Sequence, residues 1–210
     1  MDSVELFRPL RARPRRLALL PAAFHPPTRA HEALLAAALG QCDAVLAVLA
    51  RSLPHKEYSG ATLEQRLETV FPLTGARTGA AVSQGGLFLE MAREAQALFP
   101  GVEIHLVCGR DAAERAAAWR YEGLPSMAEQ LREYRLLVAA RRGGYEAPGE
   151  LAHGIGRIEW TGGWDAVSST EVLRRMAAGE PWEHMVPAVC LDAVRRVYSP
   201  LPFSRNARSL

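Results

Sequence analysis

The chain is almost without lysine: 24 of its 25 basic residues are arginine, and Lys56 is the exception. Cysteine is scarce too. Cys42, Cys108 and Cys190 are odd in number, widely spaced and without a C-x-x-C pair. Neither a disulfide framework nor a zinc site is signalled, and a reducing cytoplasm is the expected compartment. Net charge is small, +2 from 25 basic and 23 acidic residues, which excludes a general electrostatic grip on nucleic acid or an anionic membrane. Any anion the chain binds has to be held locally. Long apolar runs are also missing: residues 33–50 are interrupted by Gly40, Gln41 and Asp43, short of the roughly 18 apolar residues of a membrane span. The arginine-rich start contains Asp2 and Glu5, against the acid-poor pattern of a transit peptide, and reads as a flexible basic arm over 1–15.

What is present is ordinary globular composition, 49% hydrophobic and 23% charged in 210 residues with 17 Gly and 14 Pro. That fits one domain over 16–197 and a tail over 198–210. Strand-like runs at 16–21, 43–50, 102–108, 134–140 and 156–160 alternate with helical spacing at 30–39, 62–70, 86–98, 111–119, 126–133, 169–178 and 186–197. Strands separated by helices of about ten residues need crossover connections. The expected architecture is therefore α/β, a mostly parallel sheet with helices on both faces. Such sheets bind ligands beyond the carboxyl ends of their strands, which directs attention to the loops 21–31, 54–62 and 109–111.

In the first of these loops Thr28 is placed to cap the following helix, and His31 shares its face three residues on. A hydroxyl and an imidazole added to the free N–H groups of a helix start make a small anion site. A capped helix with a surface histidine is the competing reading. A second helix start, at 167–175, carries Ser168, Ser169 and Thr170, with Glu171 spaced for a capping box and Arg175 one turn on. A phosphate clamp and a well-capped helix with exposed arginines are both open there. Lys56, in a chain that otherwise chooses arginine, is either a compact phosphate contact or a chance surface residue. Asp111 is either a hydrogen-bond acceptor for a ribose or the cap of the next helix, and Trp119 either an aromatic face for a ring or core. The remaining histidines show no ligand spacing, so no protein-built metal site is expected, and Tyr145 and Trp164 read as packing.

Taken together and in this order, these segments resemble the nicotinate and nicotinamide mononucleotide adenylyltransferases over about 16–197. Residues 21–31 look like the family's G-G-x-F-x-P-x-H/T-x-G-H. Pro54-His55-Lys56 with Arg66-Leu67 is similar to its P-H-K and R-L, and Gly109-Arg110-Asp111 with Trp119 to its G-x-D and Trp. Residues 167–175, followed by Val186-Pro187, resemble its I-S-S-T-x-I-R and V-P step. Thr28 stands where the family usually has a first His, Pro21 and Ala22 replace paired glycines, and Leu173 replaces an arginine.

The resemblance implies a Rossmann-like fold and transfer of AMP from ATP, bound with Mg2+, to the 5′-phosphate of a pyridine mononucleotide, releasing pyrophosphate. It implies catalytic roles for His31, Thr28 and Lys56. Nucleotide contacts are implied for Phe24, Ser168, Ser169, Thr170, Arg175, Gly109 and Asp111, and acceptor contacts for Trp119 and Arg110. A family member that binds nucleotide with little turnover, or that uses a different phosphate acceptor, is the alternative.

Overall fold

The computed structural model describes residues 5–51, 60–119, 123–139, 144–159 and 163–199. Seven strands form one sheet: β1 (Glu5–Arg8), β2 (Arg16–Pro21), β3 (Ala44–Ala50), β4 (Thr78–Ser83), β5 (Glu103–Gly109), β6 (Arg135–Ala139) and β7 (Ile155–Arg157). Their spatial order is β1-β4-β3-β2-β5-β6-β7, and every pairing is parallel except β1 with β4. β2 is the point from which the sheet grows both ways, through β3 on one side and β5 on the other. That reversal opens a crevice at the carboxyl ends of the strands, where the first and middle loops begin.

Alternating side chains sort the core into two layers, as a pleated sheet covered on both faces requires. Leu17, Leu19, Leu46, Val48, Ile104 and Leu106 point to the face covered by α3 (Phe88–Leu98), α4 (Arg110–Ala118) and α5 (Met127–Gln130). Ala18, Leu20, Val45, Ala47 and Leu49 point to the opposite face, under α1 (Arg29–Leu39) and α2 (Leu63–Val70). A third, smaller cluster joins Ala61 to α6 (Ser169–Ala178) and α7 (Leu191–Tyr198).

Three expectations are corrected. Residues 5–8, read as part of a solvated arm, are an edge strand, and β4 carries no strand-like signal because its T-G-A-A-V-S sequence is nearly all small residues. Small size is required there: a Cβ on Gly79 would lie 2.5 Å from the Arg8 carbonyl and 2.6 Å from Leu46 Cδ2, so glycine lets β1 close on the sheet. Tyr198, assigned to the tail, is the last residue of α7 and fully buried. The helix expected over 126–133 is one turn, Met127–Gln130, because Leu131 onward turns directly into β6.

Candidate active site

Sheet pairing runs one residue past β2, with the Ala22 N–H donating to the Val48 carbonyl at 3.1 Å. The bond at this step is donated by Ala22, so Pro21, which has no N–H, is tolerated where it stands. The chain then turns at Phe24, whose φ of 47° places a bulky residue in the left-handed region. Such a conformation costs on the order of 1–2 kcal/mol and persists only where packing imposes it. Here the packing is complete: the Phe24 ring is fully buried and lies 4.7 Å, centroid to centroid, from the His31 ring. Phe24, expected among the nucleotide contacts, thus has its ring buried in the core, where it seats the imidazole.

Thr28 is the N-cap of α1, and with His31 it forms a capping box in which the imidazole takes the part usual for Glu or Gln. The Thr28 N–H donates to His31 Nδ1 at 3.0 Å, and Thr28 Oγ1 lies 3.0 Å from the same nitrogen. A backbone N–H can only donate, so Nδ1 accepts and the neutral ring carries its proton on Nε2. Thr28 is fully buried, and its hydroxyl is turned to the imidazole.

The second helix start is brought against this loop across 143 residues of chain: Ser169 Oγ donates to the Pro26 carbonyl at 2.7 Å. A further contact is made from α1, whose Arg29 guanidinium sits 5.3 Å from the centroid of Trp164, in the turn before α6. Ser168 caps α6, its Oγ accepting the Glu171 N–H at 3.1 Å. Only that half of the expected capping box forms, because the Glu171 carboxylate is turned to Arg174 and Arg175, each at 2.8 Å. Those guanidiniums lower the Glu171 carboxyl to about 2. Arg175 also donates to the Pro181 carbonyl at 3.0 Å, so it is committed along its own helix rather than to the first loop. Thr170 is exposed in the first turn.

Three residues support the first loop in ways that sequence reasoning did not assign, although Arg66 belongs to the R-L pair that resembles the family's. Arg66, 4% exposed on α2, donates to the Ala23 carbonyl at 3.0 Å. A cation among the apolar positions Leu63, Leu67 and Val70 of one helix face was the signal available for it. His25 is buried, with Nδ1 2.8 Å from the Tyr198 hydroxyl of α7. The helical spacing of Val194, Val197 and Tyr198 could have drawn Tyr198 into the core, but nothing local pairs it with His25.

In the middle loop, Gly109 ends β5 and is itself the N-cap of α4, which leaves Asp111 exposed in the first turn rather than capping. Trp119 is 51% exposed, so the core reading for it is set aside. Arg110 is half-buried, 3.6 Å from Glu114, and with Glu114, Tyr145 and Pro148 it lines a cavity of about 370 Å³. Lys56 and the rest of Pro54-His55-Lys56 lie outside the described residues. Among the described residues no three His, Cys, Asp or Glu side chains are grouped to hold a metal ion, and no helix is long and apolar enough to cross a membrane.

No protein-family model matches the chain. Two proteins of Thermus thermophilus, one from each of two strains and both named probable nicotinate-nucleotide adenylyltransferase, are 33% and 32% identical to it over 186 residues. Each alignment covers 82% of this chain and 92% of the relative. The fold is similar to that of Plasmodium falciparum nicotinic acid mononucleotide adenylyltransferase, solved with NaAD and with APC, at TM-scores of 0.63 and 0.61. Those two likenesses, at 13% identity, cover 87% of this chain and 95% of the solved chains. With 33% identity across 92% of a relative, this chain belongs to the nicotinate-nucleotide adenylyltransferase family.

Proposed function

We propose that this chain joins AMP from ATP to the 5′-phosphate of nicotinate mononucleotide, giving the dinucleotide and pyrophosphate in NAD synthesis. The observation that carries the reading is the hydrogen bond from Ser169 to the Pro26 carbonyl, which sets the N-termini of α6 and α1 side by side. Two helix starts bring together the positive ends of their dipoles and the N–H groups of their first residues, the right chemistry for a triphosphate. The family relatives and the fold support the same conclusion.

A phosphate monoester is already an anion near neutral pH, its second pKa being about 6, so the attacking oxygen needs no protein base. The protein has to align the reactants and stabilise charge on the α-phosphate and the departing pyrophosphate. His31 would meet the α-phosphate through Nε2–H, with Thr28 fixing the tautomer from behind. The N–H groups of Ser168, Ser169 and Thr170 and the hydroxyls of Ser168 and Thr170 would hold the leaving phosphates, the Ser169 hydroxyl being donated to Pro26. Arg175 would join them only by releasing Glu171. Lys56 is assigned to phosphate, Gly109 and Asp111 to the nucleotide, and Trp119 and Arg110 to the pyridine acceptor. Mg2+ would enter with ATP as part of the substrate. Three free, buried cysteines suit a reducing cytoplasm.

The test is pyrophosphate release from ATP and Mg2+ in the presence of nicotinate mononucleotide. Stoichiometric dinucleotide formation is expected. ATP binding without pyrophosphate release would overturn the enzymatic reading.

A further inference from the structure

The first loop is gripped at three nearly consecutive residues by three different helices. Arg66 of α2 takes the Ala23 carbonyl at 3.0 Å, Tyr198 of α7 meets His25, and Ser169 of α6 takes the Pro26 carbonyl at 2.7 Å. The middle grip is the unusual one. His25 and Tyr198 are 173 residues apart and both buried, with Nδ1 to hydroxyl 2.8 Å and ring centroids 5.3 Å apart. Immediately before His25 is Phe24, whose left-handed turn seats the His31 ring, and immediately after it is Pro26, the acceptor for α6. A shift of His25 therefore moves both ends of the phosphate site together.

We propose that Tyr198 is a positioning residue for nucleotidyl transfer, acting through His25 to hold the first loop at the spacing the two helix starts require. The inference rests on the adenylyltransferase reading above. Tyr198 is suited to the task because Val172, Cys190, Val194 and Val197 fix it in the third core cluster, so its hydroxyl is a rigid reference point. Burial raises its pKa, which keeps the phenol protonated and able to donate to Nδ1. A bond that merely satisfies two buried polar groups would affect stability alone, whereas a positioning bond acts on turnover, since small displacements of reacting groups lower rates steeply.

Tyr198→Phe removes the hydroxyl and keeps the ring. Its expected effect is a kcat about tenfold lower, with KM for ATP changed less than about twofold and the folded state retained in a melting scan. His25→Ala should show the same split, and His25→Asn, whose side-chain oxygen can accept near the Nδ1 position, should recover most of the loss. The double variant His25→Ala/Tyr198→Phe should be no slower than His25→Ala alone, because the hydroxyl then has nothing to act through. Full kcat in Tyr198→Phe, or additive losses in the double variant, would overturn the proposal while the wild-type chain stays active. A wild-type chain that releases no pyrophosphate would instead overturn the adenylyltransferase reading and take this inference with it.

Discussion

His31 accepts the Thr28 N–H through Nδ1, so the side chain that stabilises the start of α1 keeps its proton on Nε2. The two roles are separable by substitution. His31→Ala should lower kcat by roughly 100-fold or more, the size of effect seen when a preorganised donor to a developing oxyanion is removed. It should also reduce stability by about 1 kcal/mol, because the capping bond goes with it. His31→Glu restores the usual capping-box residue but turns a donor into an anion facing phosphate, so its melting temperature should match or exceed that of wild type while turnover is lost. Activity comparable to wild type in either variant would contradict the role of the imidazole. At this scale the Thr28–His31 spacing was legible in the sequence, since residues three apart at a helix start lie on one face. The left-handed backbone of Phe24 was not, because a bulky residue with φ of 47° contradicts its own local preference and is imposed by the core around it.

Elements follow the same division. Helix and strand periodicity placed β2, β3, β5 and β6, the four central strands whose residues are mostly fully buried and branched. It missed β1 and β4, where the deciding contacts are made by backbone and by small side chains rather than by an apolar pattern. Asp43 illustrates how the central elements are tied at the end of the sheet opposite the site. Its carboxylate accepts the backbone N–H groups of Arg15 and Arg16, both at 2.9 Å, joining the start of β2 to the residue before β3. Those bonds hold its pKa below the ordinary carboxylate value. A group with a lowered folded-state pKa stabilises the protein above its unfolded pKa, about 4 for an aspartate, and loses that contribution as pH falls through the folded value. Asp43→Ala should accordingly be less stable than wild type at pH 7, and the gap should narrow as the pH is taken below the unfolded value of about 4. A gap that stays constant from pH 7 to the acid limb would show that the carboxylate charge is not what ties these strands.

Across the whole molecule, a net charge of +2 gives no broad field to attract a triphosphate, so affinity has to come from a local arrangement. The sheet supplies it by placing β2 at the reversal of strand order, with the first loop leaving its carboxyl end. Sequence spacing identified each helix start separately, but not their meeting across 143 residues, which depends on how α6 and α7 pack through the third core cluster. The proposed function depends on that meeting. The most direct test is a crystal structure of this chain with a non-hydrolysable ATP analogue. An α-phosphate oxygen within about 3 Å of His31 Nε2, with the outer phosphates on the N–H groups of residues 169 and 170, is the expected result. Phosphates seated at the start of α4, away from both His31 and Ser169, would contradict it.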